Sequence, residues 1–325
     1  MITGKGMYIW NAWNTEGGNA DQALAFAKEA GFTHVLIKIA DGPWTHNIKD
    51  NVDYALRFCE TFKRGGLFVF GWQYVYGRNP EAEADMAVRR VLECGVDGFV
   101  VNAEVEYKYK PDQATRYMKR LRNALKDDYL IGLSSYRFPS IHREFPFNQF
   151  LEYCDVNLPQ VYWMKATNAG RQLLTSINQC RQSWLVQRPI LPTGAAFQEH
   201  GWRPTPEQVF EFLNTAKQVV HGANFWVWEH ARRLSDVWQV LRNYQWEEGM
   251  TEQSVMNNAR LRVVVPSLNV RSGPGVNWAR VGQLVNGSEV AVEAISVEGP
   301  SRVWIKHSIG WSALVYDRSI FLQGV

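Results

Sequence analysis

No stretch of this sequence approaches the roughly 20 apolar residues that a membrane-spanning helix needs, and residues 1–7 carry neither a basic region nor the apolar core of an export signal. Membrane insertion is therefore not expected, and neither is a recognisable signal peptide. Cysteine is scarce: Cys59, Cys94, Cys154 and Cys180 lie far apart, with no CxxC pair. Buried free thiols are expected rather than a redox or zinc motif. The seven histidines show no ligand spacing, so neither a metal site nor a cofactor is expected. Gly-rich phosphate loops of the GxGxxG or Walker kind are also missing. An excess of charge is lacking too. Of 35 basic and 32 acidic residues, seven basic and four acidic lie from Arg260 onward, which leaves 28 of each sign before it. A net +3 confined to the tail suits contact with an anionic polymer surface and is far too little for nucleic acid.

What is present is ordinary globular material: 325 residues, 46% hydrophobic and 21% charged, enough for one large core and a smaller companion. From residue 6 to 245 one pattern recurs, a short apolar run, a polar loop, then a segment of helical period. The runs fall at 6–10, 34–39, 67–74, 98–104, 130–136, 156–162, 189–193 and 224–228. The helical segments fall at 20–30, 51–64, 80–94, 111–126, 146–152, 169–184, 206–221 and 233–244. Eight such units predict an α/β fold, a (β/α)8 TIM-like barrel over 1–245. A doubly wound open sheet is the alternative, without a phosphate loop to support it.

The fourth run, Asp97-Gly98-Phe99-Val100-Val101-Asn102-Ala103-Glu104-Val105-Glu106-Tyr107, ends in carboxylates. Alternation along a strand puts Asn102, Glu104 and Glu106 on one face, about 6.6 Å apart. In a (β/α)8 barrel the strand ends carry the function. These ends and their loops supply Trp10, Asn11 and Trp13; Lys38 and Asp41; Gln73, Tyr74 and Tyr76; Ser135 and Tyr136; Gln160, Tyr162 and Trp163; Thr193; and Trp228 and Glu229. Aromatic rings stack on the C–H faces of pyranoses while amides and acids bind hydroxyls, so this lining suits a sugar. Any one of these rings would equally serve to fill a barrel interior. The 14 tryptophans together point to a carbohydrate groove.

After Tyr244 the periodicity stops. Residues 246–259 are polar and read as a linker. Over 260–325, short alternating strands separated by Gly, Pro and Asn turns predict a small all-β barrel of six strands.

The tail contains Leu268-Asn269-Val270-Arg271-Ser272-Gly273-Pro274-Gly275, then Val303-Trp304-Ile305-Lys306 and Gly310-Trp311. It resembles bacterial SH3 domains, which implies a cell-wall-binding module whose partner is peptidoglycan. The body resembles the glycoside hydrolase family 25 lysozymes. Val35-Leu36-Ile37-Lys38-Ile39-Ala40-Asp41-Gly42 is similar to that family's second strand, Phe70-Gly71-Trp72-Gln73-Tyr74 to its third, and Phe225-Trp226-Val227-Trp228 to its aromatic last strand. That family's fourth strand ends Asp-x-Glu, and here Asn102-Ala103-Glu104 stands in its place. By position Glu104 matches the general acid. Tyr8 stands where the family's first strand has an acid, and Asn102 replaces the acid of Asp-x-Glu. The same stretch also resembles the family 18 chitinase signature Asp-Gly-x-Asp-x-Asp-x-Glu, with Val100 and Asn102 in place of inner acids. Asn-x-Glu pairs resemble those of endo-β-N-acetylglucosaminidases, which implies substrate-assisted chemistry: Asn102 orients an N-acetyl group and Glu104 gives a proton.

Two expectations follow. One is a glycosidase of N-acetylated cell-wall glycan, peptidoglycan or a related polymer, released as a phage-type lytic protein (endolysin) is and acting at the wall. A conventional second carboxylate would then be Asp41, Glu106 or Glu229. The other is a catalytically inactive carbohydrate-binding or structural component of a wall or virion, with Glu104 ion-paired, for instance to Lys38. Nothing in the sequence bears on oligomeric state.

Overall fold

The structure, a computed structural model, describes residues 2–125, 127–246, 260–297, 302–317 and 319–324. The chain divides into two compact units, Met1–Glu247 and Glu248–Val325. Most of the expected linker lies outside the described residues.

The first unit is a closed barrel. Its parallel strands are β1 (Gly4–Ile9), β2 (Phe32–Asp41), β3 (Phe68–Val75), β4 (Gly98–Ala103), β5 (Leu130–Tyr136), β6 (Val156–Val161), β7 (Thr193–Ala195) and β8 (Gly222–Trp226). Each pairs with the next, and β1 pairs with both β2 and β8, which leaves no free edge among the eight. Between the strands run α1 (Ala20–Glu29), α2 (Tyr54–Arg64), α3 (Pro80–Cys94), α4 (Pro111–Ala124), α5 (Phe147–Leu151), α6 (Ala169–Cys180) and α7 (Pro206–Val219), followed after β8 by α8 (Trp228–Ala231) and α9 (Ser235–Asn243). Polar side chains start several helices: Asn19, Asp53 and Asn79 accept from the backbone of the first turn, and Thr205 with Gln208 forms a capping box ahead of α7.

Two strands depart from expectation. The seventh pairs from Thr193 rather than over 189–193, because Pro189 and Pro192 have no N–H to give a ladder; Ile190 makes only an isolated bridge to Asn157. The eighth ends at Trp226, and the chain turns into α8 at Trp228.

Inside the barrel, the lower layer holds His34, whose Nε2 lies 2.6 Å from Asn224 Oδ1. Gly6 makes room for that pair: a Cβ there would stand 2.1 Å from the imidazole. Above it Trp72 packs edge-on against Tyr8 and Trp226, with centroids 5.8 and 5.5 Å away, and its Nε1 donates to the Ile9 carbonyl. All four cysteines are free and buried.

The second unit holds nine short strands among the described residues, in a three-stranded and a six-stranded sheet, rather than the six expected. Its core is Val263, Leu268, Val270, Leu284, Val290, Val292, Ile305 and Leu322.

Candidate active site

Register places the site at the C-terminal ends of β3 to β7. Tyr74 lies abreast of Asn102, Asn102 of Ser134, Tyr136 of Gln160, and Gln160 of Thr193. Partners in a parallel ladder share a face, so these side chains converge on the barrel axis.

Glu104 is half-buried immediately after β4. Gln160 Nε2 donates to its Oε1 (3.0 Å) and also reaches Asn102 Oδ1 (2.9 Å) and Ser134 Oγ (3.3 Å). With its amide turned the other way, Asn102 donates to Glu104 Oε1 (3.2 Å) and to the Ser134 carbonyl (3.1 Å). Amide orientation and proton are thereby linked: an ionised Glu104 calls for the nitrogen of Asn102, a protonated one can donate to its oxygen. No Lys, Arg or His among the described residues forms an ion pair with Glu104. Burial pushes its pKa up; the amides of Gln160 and Asn102 oppose this, and the charge of Glu106 adds to it.

Four tyrosines, Tyr8, Tyr74, Tyr136 and Tyr162, lie close enough to feel the charge of Glu104. Burial raises all four, Tyr8 and Tyr136 to about 12. The buried hydroxyls of Tyr8 and Thr193 have no partner of hydrogen-bonding geometry. The Tyr74 hydroxyl donates to Glu106 Oε2 (2.5 Å). Strand β4 stops at Ala103, and Val105–Tyr107 forms a 3-10 turn, so Glu106 reaches the mouth from a turn and not along the strand face.

The other expected residues divide. Lys38 pairs with Asp41 (3.3 Å), not with Glu104, and its ammonium lies 5.0 Å from the Trp72 ring centre. The Tyr76 hydroxyl also donates to Asp41, at 3.2 Å. Burial lowers the pKa of Lys38, and Asp41 opposes the shift. Glu229 Oε1 accepts from the backbone N–H groups of Trp10 (3.2 Å) and Asn11, while its buried Oε2 has no partner. Burial raises Glu229 to about 7. Trp13 packs its ring on His46, Tyr136 stacks on His142 at 3.9 Å, and Tyr162 packs on Phe197.

Gln73 and Trp228 do not belong to the mouth. Gln73 faces the helices, where its amide donates to the Gly42 and Glu83 carbonyls and accepts from the Tyr117 hydroxyl. Trp228 opens α8 and is fully buried against Phe32, Phe62 and Trp238. Its expected place is taken by Trp226, which touches Tyr8, Trp10 and Trp72. Trp226 and Trp72 escaped the reading of strand ends. The alternation of side chains offered the signal for Trp72, since Trp72 shares the inward parity of Tyr74 and Gln73 cannot.

The cluster thus offers a carboxyl whose pKa is raised by burial, two amides and an aromatic floor. It is equipped to protonate a leaving oxygen and to hold an amide.

The sequence matches no family model and no curated protein. Solved structures that share the fold include the spore cortex-lytic enzyme SleL of Bacillus cereus, with a TM-score of 0.55 at 9% identity over 76% of this chain and 76% of that one. A glycoside hydrolase family 18 N-acetylglucosaminidase from Paenibacillus barengoltzii gives 0.52 at 13% identity over 74% of this chain and 99% of that one. A chitinase from Chromobacterium violaceum gives 0.55 at 11% identity over 74% and 98%. At these identities the likeness establishes the fold: the first unit is a (β/α)8 barrel of the kind these proteins have.

Proposed function

We propose that this chain is a glycoside hydrolase of N-acetylated glycan, with Glu104 as general acid and Asn102 orienting the N-acetyl group of the sugar. The observation that carries the reading is Glu104 itself, desolvated at the barrel mouth, bound by amides and free of any cation among the described residues. Burial without a counter-charge raises a carboxyl's pKa, which is the direction a general acid needs.

The three carboxylates expected as a conventional second acid are engaged elsewhere: Asp41 by Lys38 and Tyr76, Glu106 by Tyr74, and Glu229 by two backbone N–H groups. That supports a substrate-assisted route. Glu104 protonates the glycosidic oxygen as the bond to the anomeric carbon breaks, and the N-acetyl oxygen bonds to that carbon. Glu104, now ionised, then takes a proton from the incoming water as the water displaces the acetamido oxygen. The half-buried Trp226, supported from beneath by the buried Trp72, supplies an aromatic face for the sugar ring. Among solved structures of this fold are proteins described as a cortex-lytic enzyme, an N-acetylglucosaminidase and a chitinase, which favours the family 18 resemblance over the family 25 one.

In this reading the C-terminal unit is a bacterial SH3-like domain that holds the enzyme on peptidoglycan, and the protein works at the cell wall. The second reading is a glycan-binding or structural protein without turnover, favoured by Tyr8 and Asn102 standing where the resemblance places acids. Release of reducing ends from N-acetylglucosamine oligomers and from purified peptidoglycan separates the two. Wild type should cleave at least one and Glu104→Gln neither; no reducing ends from either glycan with wild type sinks the hydrolase.

A further inference from the structure

Resting on that reading of the site, we propose that Trp44, Tyr76 and Tyr74 form an aromatic track that binds further sugars of a linear N-acetylated glycan. The substrate is then a polymer lying over the ends of β2 and β3. Trp44 is 67% exposed, the most exposed tryptophan among the described residues. Its backbone is fixed: the two-residue strand Trp44–Thr45 folds back antiparallel on β2, with Trp44 opposite Asp41.

The rings flank one another in a row. A Cβ built on Gly42, whose φ is +52°, would meet Tyr76 at 2.9 Å and Trp44 at 3.5 Å, so both rings close on that glycine. Tyr76 and Tyr74 meet edge to face with centroids 5.1 Å apart. Tyr74 is in register with Asn102. The track thus runs from an exposed indole at the lip to the amide beside Glu104.

A lone exposed tryptophan would need no explanation; one that stands in a row of rings leading to the reacting centre does. Polar groups interrupt the apolar faces, namely the Tyr76 hydroxyl, the carboxylate of Asp41 and the carboxylate of Glu106. Pyranose rings present apolar faces edged with hydroxyls and match that alternation, whereas an apolar protein surface would desolvate the carboxylates without replacing their hydrogen bonds.

The test is calorimetric titration of the N-acetylglucosamine hexamer and dimer into the full chain carrying Glu104→Gln, which prevents turnover. Adding Trp44→Ala should lower the ratio of hexamer to dimer affinity about tenfold, the loss of one ring stack, and Trp44→Phe should restore part of it. An unchanged ratio overturns the track, and so does the absence of binding to either oligomer. Reducing-end release by the wild type is scored separately. A ratio that falls as expected without any cleavage keeps the track and removes the hydrolase; cleavage with an unchanged ratio does the reverse.

Discussion

The proton of Glu104 is controlled by neighbours that bind it without neutralising it, and this makes Asn102 the residue through which its acidity can be set. Asn102 lies 3.2 Å from Glu104 Oε1, so Asn102→Asp places a like charge against an acid whose pKa is already raised. Two carboxyls at that distance cannot both ionise easily, and the pair titrates with one value pushed further up. A general acid is lost as pH rises through its pKa. The alkaline limb of the kcat profile should therefore move up by about one unit or more in Asn102→Asp. A limb that stays or moves down removes Glu104 from the role of acid. Glu229 makes a second case, about stability. Its carboxyl is raised from 4.5 to about 7 in the fold, so its stabilising protonation is fully present below about 4.5 and is lost as pH rises through 7. Glu229→Gln keeps an acceptor for Trp10 and Asn11 and never ionises. It should be more stable than wild type above pH 7, by up to about 3 kcal/mol, and equal to it near pH 4. Urea unfolding at the two pH values measures this; equal stability at both contradicts it.

Elements position these residues through loops that a helix reaches up to hold. Glu83 on α3 is buried, and its carboxylate accepts from the backbone N–H groups of Tyr76, Gly77 and Arg78, just beyond β3. Glu83→Ala strips three donors of one charged acceptor, so it should cost about 2–4 kcal/mol in urea unfolding and loosen Tyr76. A variant within about 0.5 kcal/mol of wild type would mean that water replaces the carboxylate at no cost. Sequence pattern gave the existence of these elements well and their ends poorly. Near-continuous apolar runs such as Val35 to Ala40 mark strands buried on both faces, and all eight units were legible on that basis. The ends are set by hydrogen bonds that pattern does not display. Pro189 and Pro192 shortened the seventh strand, and the turn into α8 carried Trp228 outward and left Trp226 in its place. Gln73 was misplaced for a simpler reason, since neighbours on a strand face opposite ways and Tyr74 already faces in. Trp44 sits on a two-residue strand, too short to leave a periodic signal.

At the scale of the whole molecule, composition and period both change after Tyr244, and the chain divides into two compact units at Glu247. The count of strands in the tail was not legible in the sequence, because runs of two or three residues are defined by their partners rather than by themselves. Among the described residues the core of the barrel and the core of the tail share none, so each unit has the means to fold alone. Residues 1–246 produced without the tail should unfold in one cooperative transition and, under the proposed function, cleave soluble N-acetylglucosamine oligomers at the rate of the full chain. They should lose retention on insoluble peptidoglycan. Residues 260–325 alone should pellet with that polymer, and because the tail carries only +3, moderate salt should weaken rather than abolish the binding. The two assays separate the roles: if the barrel alone pellets as well as the full chain, the aromatic track and not the tail holds the protein on the polymer. Loss of cooperative unfolding in the barrel fragment would instead make the tail a structural support, and the proposed hold on the cell wall would lose its basis.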